Sequence, residues 1–365
     1  MCMKKRIFSF GTLLLFSAVL WSCSDDSDNN LEEDLSLVQL MEVKANALSD
    51  AVVDISNSKG FEIITVEDGE NLKKGGDYRF EMDITLNDIK GVYDYVQAMN
   101  EETTSTKMSQ KRFNKVDESD NFVLRLPKEK AMKPWQLYVE SDDEIINDFV
   151  ITTTDYKYTY SGGIKFDYLL DSKIEIAEEK VGELYVDWSI SENMNFEYES
   201  KFSFDNDYAV GVEFTLGEMN NYEFSLTKGD DILFKEEVEI KKNGDTEEAE
   251  LEYSIVLGSI KIVFNSEVDA YKVYRNNVLQ EGATIEIVKH ENDGDGIAFC
   301  RKGRDIKITF DDGTGIELSE LVSEDTMELM DKIFSSMYDM KFVKHIVDKV
   351  AREVYYTNLA NSNVD

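Results

Sequence analysis

The chain has 365 residues, with 39 Lys and Arg against 75 Asp and Glu, a net charge of −36. So acidic a surface repels nucleic acid and anionic lipid headgroups, and no nucleic-acid partner is expected. Hydrophobic residues at 42%, with 20 Phe and 18 Tyr, still supply a core. The length allows one large globular domain or two ordinary ones.

Lys4, Lys5 and Arg6 precede an almost unbroken apolar run from Ile7 to Leu20. That run is too short for a bilayer span, which takes about 20 residues, and it suits the core of an export signal. Next come Leu20-Trp21-Ser22-Cys23 and then Ser24-Asp25-Asp26-Ser27-Asp28-Asn29-Asn30. The quartet resembles the lipobox of bacterial lipoproteins, with Trp21 where a small residue is usual. The stretch after it resembles the acidic tag of lipoproteins that Bacteroidota display on the cell surface. Confined to the leader and tag, the resemblance implies residues 1–22 as a signal peptide, lipid on Cys23, and an outer-membrane anchor facing the cell exterior. Cysteine is required because its sulfur carries the lipid as a thioether. Cleavage would remove three basic residues and no acidic one, leaving −39. Only Cys23 and Cys300 would remain, and with Cys23 acylated no intrachain disulfide is expected.

Residues 23–33 read as an acidic, solvated tether. From Asp34 to Ser56, Leu35, Val38, Met41, Ala45, Leu48, Val52 and Ile55 recur at helical spacing, with Lys59-Gly60 as a stop. Phe80, Met82, Ile84 and Leu86 then alternate with polar residues, as in a half-buried strand. Residues 98–121 read as a long polar loop. Residues 122–126 and 135–139 read as strands on either side of Pro127 and Pro134.

Beyond residue 147 the alternation becomes regular. Tyr156, Tyr158 and Tyr160 share one side, followed by Phe166, Tyr168 and Leu170, then Leu184, Val186 and Trp188. Phe196, Tyr198, Phe202 and Phe204 continue the series, as do Val210, Val212 and Phe214, then Tyr222, Phe224 and Leu226. Later strands centre on 238–240, 251–255, 260–264, 285–287, 297–299 and 306–310, with Asn243-Gly244 as a hairpin turn. One-sided alternation of this kind fits antiparallel sheet with a solvated back. The chain closes with helix: Ser323 caps it, and Met327, Met330, Phe334 and Met337 form a stripe. After a break near Asp339, Val343, Ile346, Val347, Val350 and Val354 continue that stripe.

The expected fold class is therefore α+β: a predominantly antiparallel β meander with an N-terminal and a C-terminal helix packed on it. A curved sheet and a sandwich both satisfy the periodicity. The mature chain divides into residues 34–146 (helix, strands and loop), 147–322 (meander) and 323–357 (helical segment).

Chemistry-bearing motifs are sparse. His290 and His345 lie far apart with no second ligand at metal spacing, so no Cys/His zinc site is expected. Cys300 alternates with packed neighbours and reads as a core thiol. There is no Gly-x-Ser-x-Gly elbow, P-loop or dinucleotide fingerprint, and no cofactor is expected. The turns at Asp205-Asn206-Asp207, Asn292-Asp293-Gly294-Asp295-Gly296 and Asp311-Asp312-Gly313 are rich in oxygen ligands. Hairpins choose such residues for backbone reasons, and the second lacks the full calcium-loop series.

The charge pattern reverses once. Between Lys107 and Lys133, eight basic residues face only Asp117, Glu118, Asp120 and Glu129. Within that segment Lys128, Lys130, Lys133 and Trp135 make a candidate patch for an anionic ligand such as an acidic polysaccharide; the alternative is that the lysines neutralise a neighbouring acidic sheet edge or protect an edge strand from pairing. The functional expectation is a lipid-anchored surface protein that binds a ligand or partner without catalysis. A half-barrel lipid carrier and a carboxylate-dependent glycan hydrolase are the rival classes.

Overall fold

The computed structural model describes residues 35–66, 81–96, 112–137, 145–161, 165–191, 193, 195–217, 219–242, 249–268, 270–289, 304–310, 313–339 and 342–362. Cys23 with its leader and tether lies outside the described residues. So do Phe80, residues 97–111, 138–139, Asn243-Gly244, His290, 292–300 with Cys300, and Asp311-Asp312.

The N-terminal helix α1 (Leu37–Ser56) starts at a capping box. Ser36 Oγ accepts from the Gln39 amide at 3.3 Å and Gln39 Oε1 accepts from the Ser36 amide at 3.0 Å. Its buried stripe includes Leu40 and Ala51 as well as Met41, Ala45, Leu48, Val52 and Ile55. The stop expected at Lys59-Gly60 is instead the first turn of a short helix, α2 (Lys59–Ile64), whose cap Ser58 accepts from the Phe61 amide. Gly60 is required there. A Cβ at this position would stand 2.7 Å from the Phe204 ring and 2.9 Å from that of Phe202.

The sheet contains β1 (Met82–Thr85), β2 (Gly91–Tyr95), β3 (Phe113–Asp117), β4 (Phe122–Leu126) and β5 (Phe149–Ser161). Then come β6 (Lys165–Ile176), β7 (Glu179–Ile190), β8 (Phe196–Phe204), β9 (Tyr208–Leu216) and β10 (Met219–Lys228). β11 (Asp231–Lys242), β12 (Ala249–Leu257), β13 (Ile260–Asn265), β14 (Ala270–Arg275) and β15 (Val278–Leu279) complete it. From β5 to β15 every strand pairs with the next, antiparallel. Beyond β5 the order is β4, β2, β3, with β2 and β4 parallel, and β1 takes the other half of the long β5. The meander is thus one sheet rather than the two layers of a sandwich. A small separate sheet of β16 (Thr284–Lys289), β17 (Arg304–Thr309) and β18 (Gly315–Glu317) follows.

Three local expectations change. The strand at 80–86 ends at Thr85, because Asp88 accepts from the Thr85 amide at 2.8 Å and turns the chain into a helical turn, α3 (Leu86–Ile89). The loop expected over 98–121 contains β3, which pairs with β2; at the edge of the sheet only Phe113 of its five residues is buried, so no alternation marks it. The strand expected at 135–139 begins instead as a 3₁₀ turn, Pro134–Gln136, which proline favours by fixing φ at its first position.

One face of the sheet, the inner face, is set by a single register row. Tyr158, Tyr168, Trp188, Tyr198, Phe214 and Tyr222 stand directly opposite one another on β5 to β10. After Val238 on β11 come Tyr253, Phe264 and Tyr271 on β12 to β14. Neighbouring rings meet edge-on, Phe166 on Trp188 at 4.5 Å and Phe196 on Phe214 at 5.5 Å.

The C-terminal helices cover much of this face. α4 (Lys128–Met132) and the turn-length α5 (Leu318–Leu321) precede α6 (Glu324–Asp339). A π-helical turn, Val343–Val347, then leads into α7 (Asp348–Ser362). Ser323 caps α6 by accepting from the Thr326 amide at 3.2 Å. Phe334 meets Tyr222 and Phe224 edge-on, and the Tyr198 hydroxyl donates to the Met337 carbonyl at 2.7 Å. Ile333, outside the stripe expected from sequence, is completely buried. Truncating such a side chain costs about 2–5 kcal/mol. Ile333→Ala should therefore lower the melting temperature measurably, whereas Tyr338→Ala, at an exposed position, should shift it much less; thermal unfolding by circular dichroism compares the two.

The start of α7 is fixed by a buried acid. Asp348 Oδ1 accepts from the Tyr168 hydroxyl at 2.9 Å and from the Tyr156 hydroxyl at 3.2 Å, while the Arg352 guanidinium lies 4.7 Å from the centre of the Tyr158 ring. Burial first, and then the nearby Asp348 charge, push both phenols well above the usual tyrosine range. A hydrogen bond to a charged group contributes about 1.5–3 kcal/mol, so Asp348→Ala should destabilise by at least that much. Since both phenols hold their protons more tightly folded than unfolded, their contribution is complete below the ordinary tyrosine pKa and lost as pH rises above it. In an alkaline absorbance titration, two tyrosines should resist ionisation until the chain unfolds.

Candidate functional site

Of the lysine patch expected from sequence, Lys130 is buried, while Lys128 and Lys133 lie at the surface in exposed ion pairs. Lys128 pairs with Glu62 of α2 at 3.2 Å and Lys133 with Glu129 at 3.4 Å. Lys130 is 6% exposed and donates to the Gln136 carbonyl at 3.2 Å; burial pushes its pKa down, with Arg112 and Lys133 adding to the effect against the pull of Glu129. The stretch expected to be exposed is instead α4 followed by the 3₁₀ turn, with Ala131 and Pro134 buried and Trp135 half-buried. Arg112 is 1% exposed and its amide donates to Glu353 of α7. Lys115 pairs with Glu118, and Arg125 faces Asp94. Lys107 and Lys111 lie outside the described residues.

The space between helices and sheet is narrow. One cavity, lined by Ile63, Leu184, Ser200, Phe202, Met337 and Val343 among others, leaves about 20 Å3 to the centre of a water molecule. A second, between α1, α5 and β11–β13, leaves about 20 Å3 and is almost wholly apolar. Each volume suits about one water. The Ser200 hydroxyl, buried and without a hydrogen-bond partner among the described residues, is the one polar feature of the sheet in the first.

The opposite, outer face carries the charge. Asp187, Glu199, Glu213, Glu223 and Glu237 stand directly opposite one another on β7 to β11, a row of five carboxylates in register. Lys235 lies beside the row, 2.5 Å from Glu223 and 3.7 Å from Glu237. Burial works against its ammonium, but Glu223, Glu237 and Glu213 outweigh it and raise the Lys235 pKa. Glu213, in the middle, is raised by desolvation at the sheet surface and then by repulsion from Glu223 and Glu199. Among the described residues no group of three or more His, Cys, Asp and Glu is arranged to hold a metal ion.

A larger opening lies further along the outer face. Over β12–β14 a cleft of about 350 Å3 is lined by Glu252, Lys261, Val263, Asn265, Lys272 and Tyr274, with the β13–β14 turn at its end. The register makes it a grid: Glu252 opposite Asn265, Val263 opposite Lys272, Lys261 opposite Tyr274. The sequence marks none of these residues, since each is an ordinary outward position of an alternating strand; only the pairing brings them together.

No family model, no curated protein and no solved structure matches the chain. The geometry therefore carries the functional argument by itself.

Like charges directly opposite in a sheet are destabilising. Because the Glu213 pKa is raised in the fold, its carboxylate opposes folding above that pKa, and the penalty fades as pH falls through it towards the ordinary glutamate value. Glu213→Gln should stabilise the fold at neutral pH by no more than about 0.5 kcal/mol at so exposed a position, and so raise the melting temperature slightly. The gain should disappear in mildly acid buffer, which melting curves at the two pH values would resolve.

Proposed function

We propose that this protein is a lipid-anchored, outer-membrane surface protein that binds a ligand rather than transforming one. The address rests on the leader, the lipobox-like quartet ending in Cys23 and the acidic stretch behind it. The binding reading rests on one contrast among the described residues: the gaps behind the helix-covered inner face are water-sized, while the outer face offers an open cleft of about 350 Å3. That cleft falls within the range of small-molecule sites, roughly 300–1,000 Å3. A lipid carrier needs an apolar chamber for an acyl chain, and the two gaps behind the sheet, among the described residues, are too small to serve as one. A glycan hydrolase needs two carboxylates at defined separation across a bound sugar. The five-carboxylate row instead spans five strands on an open surface, and its members repel one another. The partners in this reading are the membrane, through lipid on Cys23, and an anionic glycan or protein.

Growth with a clickable fatty acid tests the anchor. Wild-type chain should carry the label and Cys23→Ala should not; equal labelling of both, or of neither, would overturn the anchor. Protease treatment of intact cells should remove the wild-type protein, whereas a periplasmic protein would survive.

A further inference from the structure

We infer that the outer-face cleft over β12–β14 binds a carboxylate-bearing saccharide, with Lys261 and Lys272 holding the carboxylate and Tyr274 serving as the platform for the sugar ring. This rests on the binding reading above and names its ligand class.

The argument begins with what lysines do elsewhere on this face. Lys173 pairs with Glu175 at 2.8 Å, Lys235 with Glu223 at 2.5 Å and Lys241 with Glu239 at 3.5 Å, while Lys157 pairs with Asp167. In a chain of net −36 most lysines on this face lie beside an acid, Lys201 of β8 being an exception among the described residues. Lys261 and Lys272 have no such partner among the described residues. Their positions are diagonal across the β13–β14 pair, since Lys261 faces Tyr274 and Lys272 faces Val263. Diagonal neighbours stand about 7–8 Å apart at the backbone. Two long side chains can therefore converge on one carboxylate lying between them.

The rest of the cleft selects the body of the ligand. Tyr274 is half-buried, so part of its ring remains available as a flat surface beside Lys261. Asn265 Oδ1 already accepts from the Glu267 amide at 2.9 Å, which fixes the side chain and leaves its NH2 to donate. Glu252, directly opposite Asn265, is an acceptor. A carboxamide donor beside a carboxylate acceptor suits hydroxyl groups, which donate and accept at once. The acids lining the cleft and the charge of the whole chain disfavour a densely anionic polymer. A saccharide with a single carboxylate-bearing ring and neutral, hydroxylated sugars on either side meets both demands. The cleft is open-sided, so a chain can cross it rather than end in it.

Calorimetry on the purified full chain, at low salt and again near physiological ionic strength, tests this with oligosaccharides holding one uronic acid among neutral sugars (the uronate oligosaccharides), their wholly neutral counterparts and sodium sulfate. Uronate oligosaccharides should bind, and more weakly with added salt. Neutral counterparts should bind at least about tenfold more weakly, as should Lys261→Gln or Lys272→Gln with uronate. Both changes lie on an exposed sheet face, and unchanged melting would show the variants folded. Lysine variants that bind as the wild type does would overturn the assignment. Sulfate binding as tightly as the oligosaccharide would reduce the cleft to an anion site and also overturn it. Neutral sugars bound equally well, indifferent to the lysine changes but lost in Tyr274→Leu, would remove the acidic class and leave the binding reading standing. No saccharide bound at low salt would overturn the assignment of the cleft and leave the binding reading to a protein partner.

Discussion

Everything in this fold depends on the register of the aromatic row. Because β5 to β15 pair strictly in sequence, each hairpin hands its alignment to the next. A slip of one residue anywhere would turn every following side chain to the wrong face, sending aromatics to water and acids to the core. Tight turns hold the count. Asp207, Gly229 and Gly258 take positive φ between successive strands, and Ala177-Glu178 and Asn276-Asn277 do so in pairs, as two-residue hairpin turns require. The tyrosines suit this row because each has two ends. The ring covers apolar surface while the hydroxyl reaches a polar partner: Tyr198 reaches the Met337 carbonyl, Tyr168 reaches Asp348, and Tyr253 reaches Glu236 of β11.

The two faces answer to different constraints. The inner face is closed by helices from both ends of the chain, α1 over β11 and β12 and α6 over β8 and β9. Close approach decides its details: Phe202 lies between Gly60 and Gly182, with no room for a Cβ on either. Among the described residues the outer face packs against no such helices, so its side chains are free to be chosen for solubility and contact. The row from Asp187 to Glu237 accepts mutual repulsion, a modest cost for a sheet so firmly held from behind. Where that row ends, past Glu237, the pattern passes through Ser254 and Val263 to Lys272. The same register line thus runs from acid to base across the sheet.

Most of the meander was legible because its signal is periodic and one-sided. Alternation from Tyr156 to Phe264 identified the strands and their buried face, and the heptad-like spacing of Met41, Ala45, Leu48 and Val52 identified α1. What escaped was set by contacts rather than by period. β3 is an edge strand with one buried residue, so composition made it look like loop. α2 exists because Gly60 can lie against Phe202 and Phe204, a fact written nowhere near residue 60. The lysine patch was a real local excess of charge, yet Glu62, brought in by α2, and the Gln136 carbonyl take up two of its members. The cleft was invisible for the converse reason: Lys261, Lys272 and Tyr274 are unremarkable until two strands align them.

The covering helices also impose an order of events. Strands can pair as they emerge, since each needs only its predecessor. Much of the inner face from β5 to β10, beyond the part that α2 covers at Phe202 and Phe204, nevertheless waits for residues 324–362, because α6 and α7 follow every strand. Throughout that interval a broad aromatic surface is available to any other chain. The exposed, charged outer face cannot shield it. Biogenesis of this protein is therefore a race between arrival of the final two helices and association through an unfinished core. Its vulnerability belongs to the moments before completion rather than to the finished molecule.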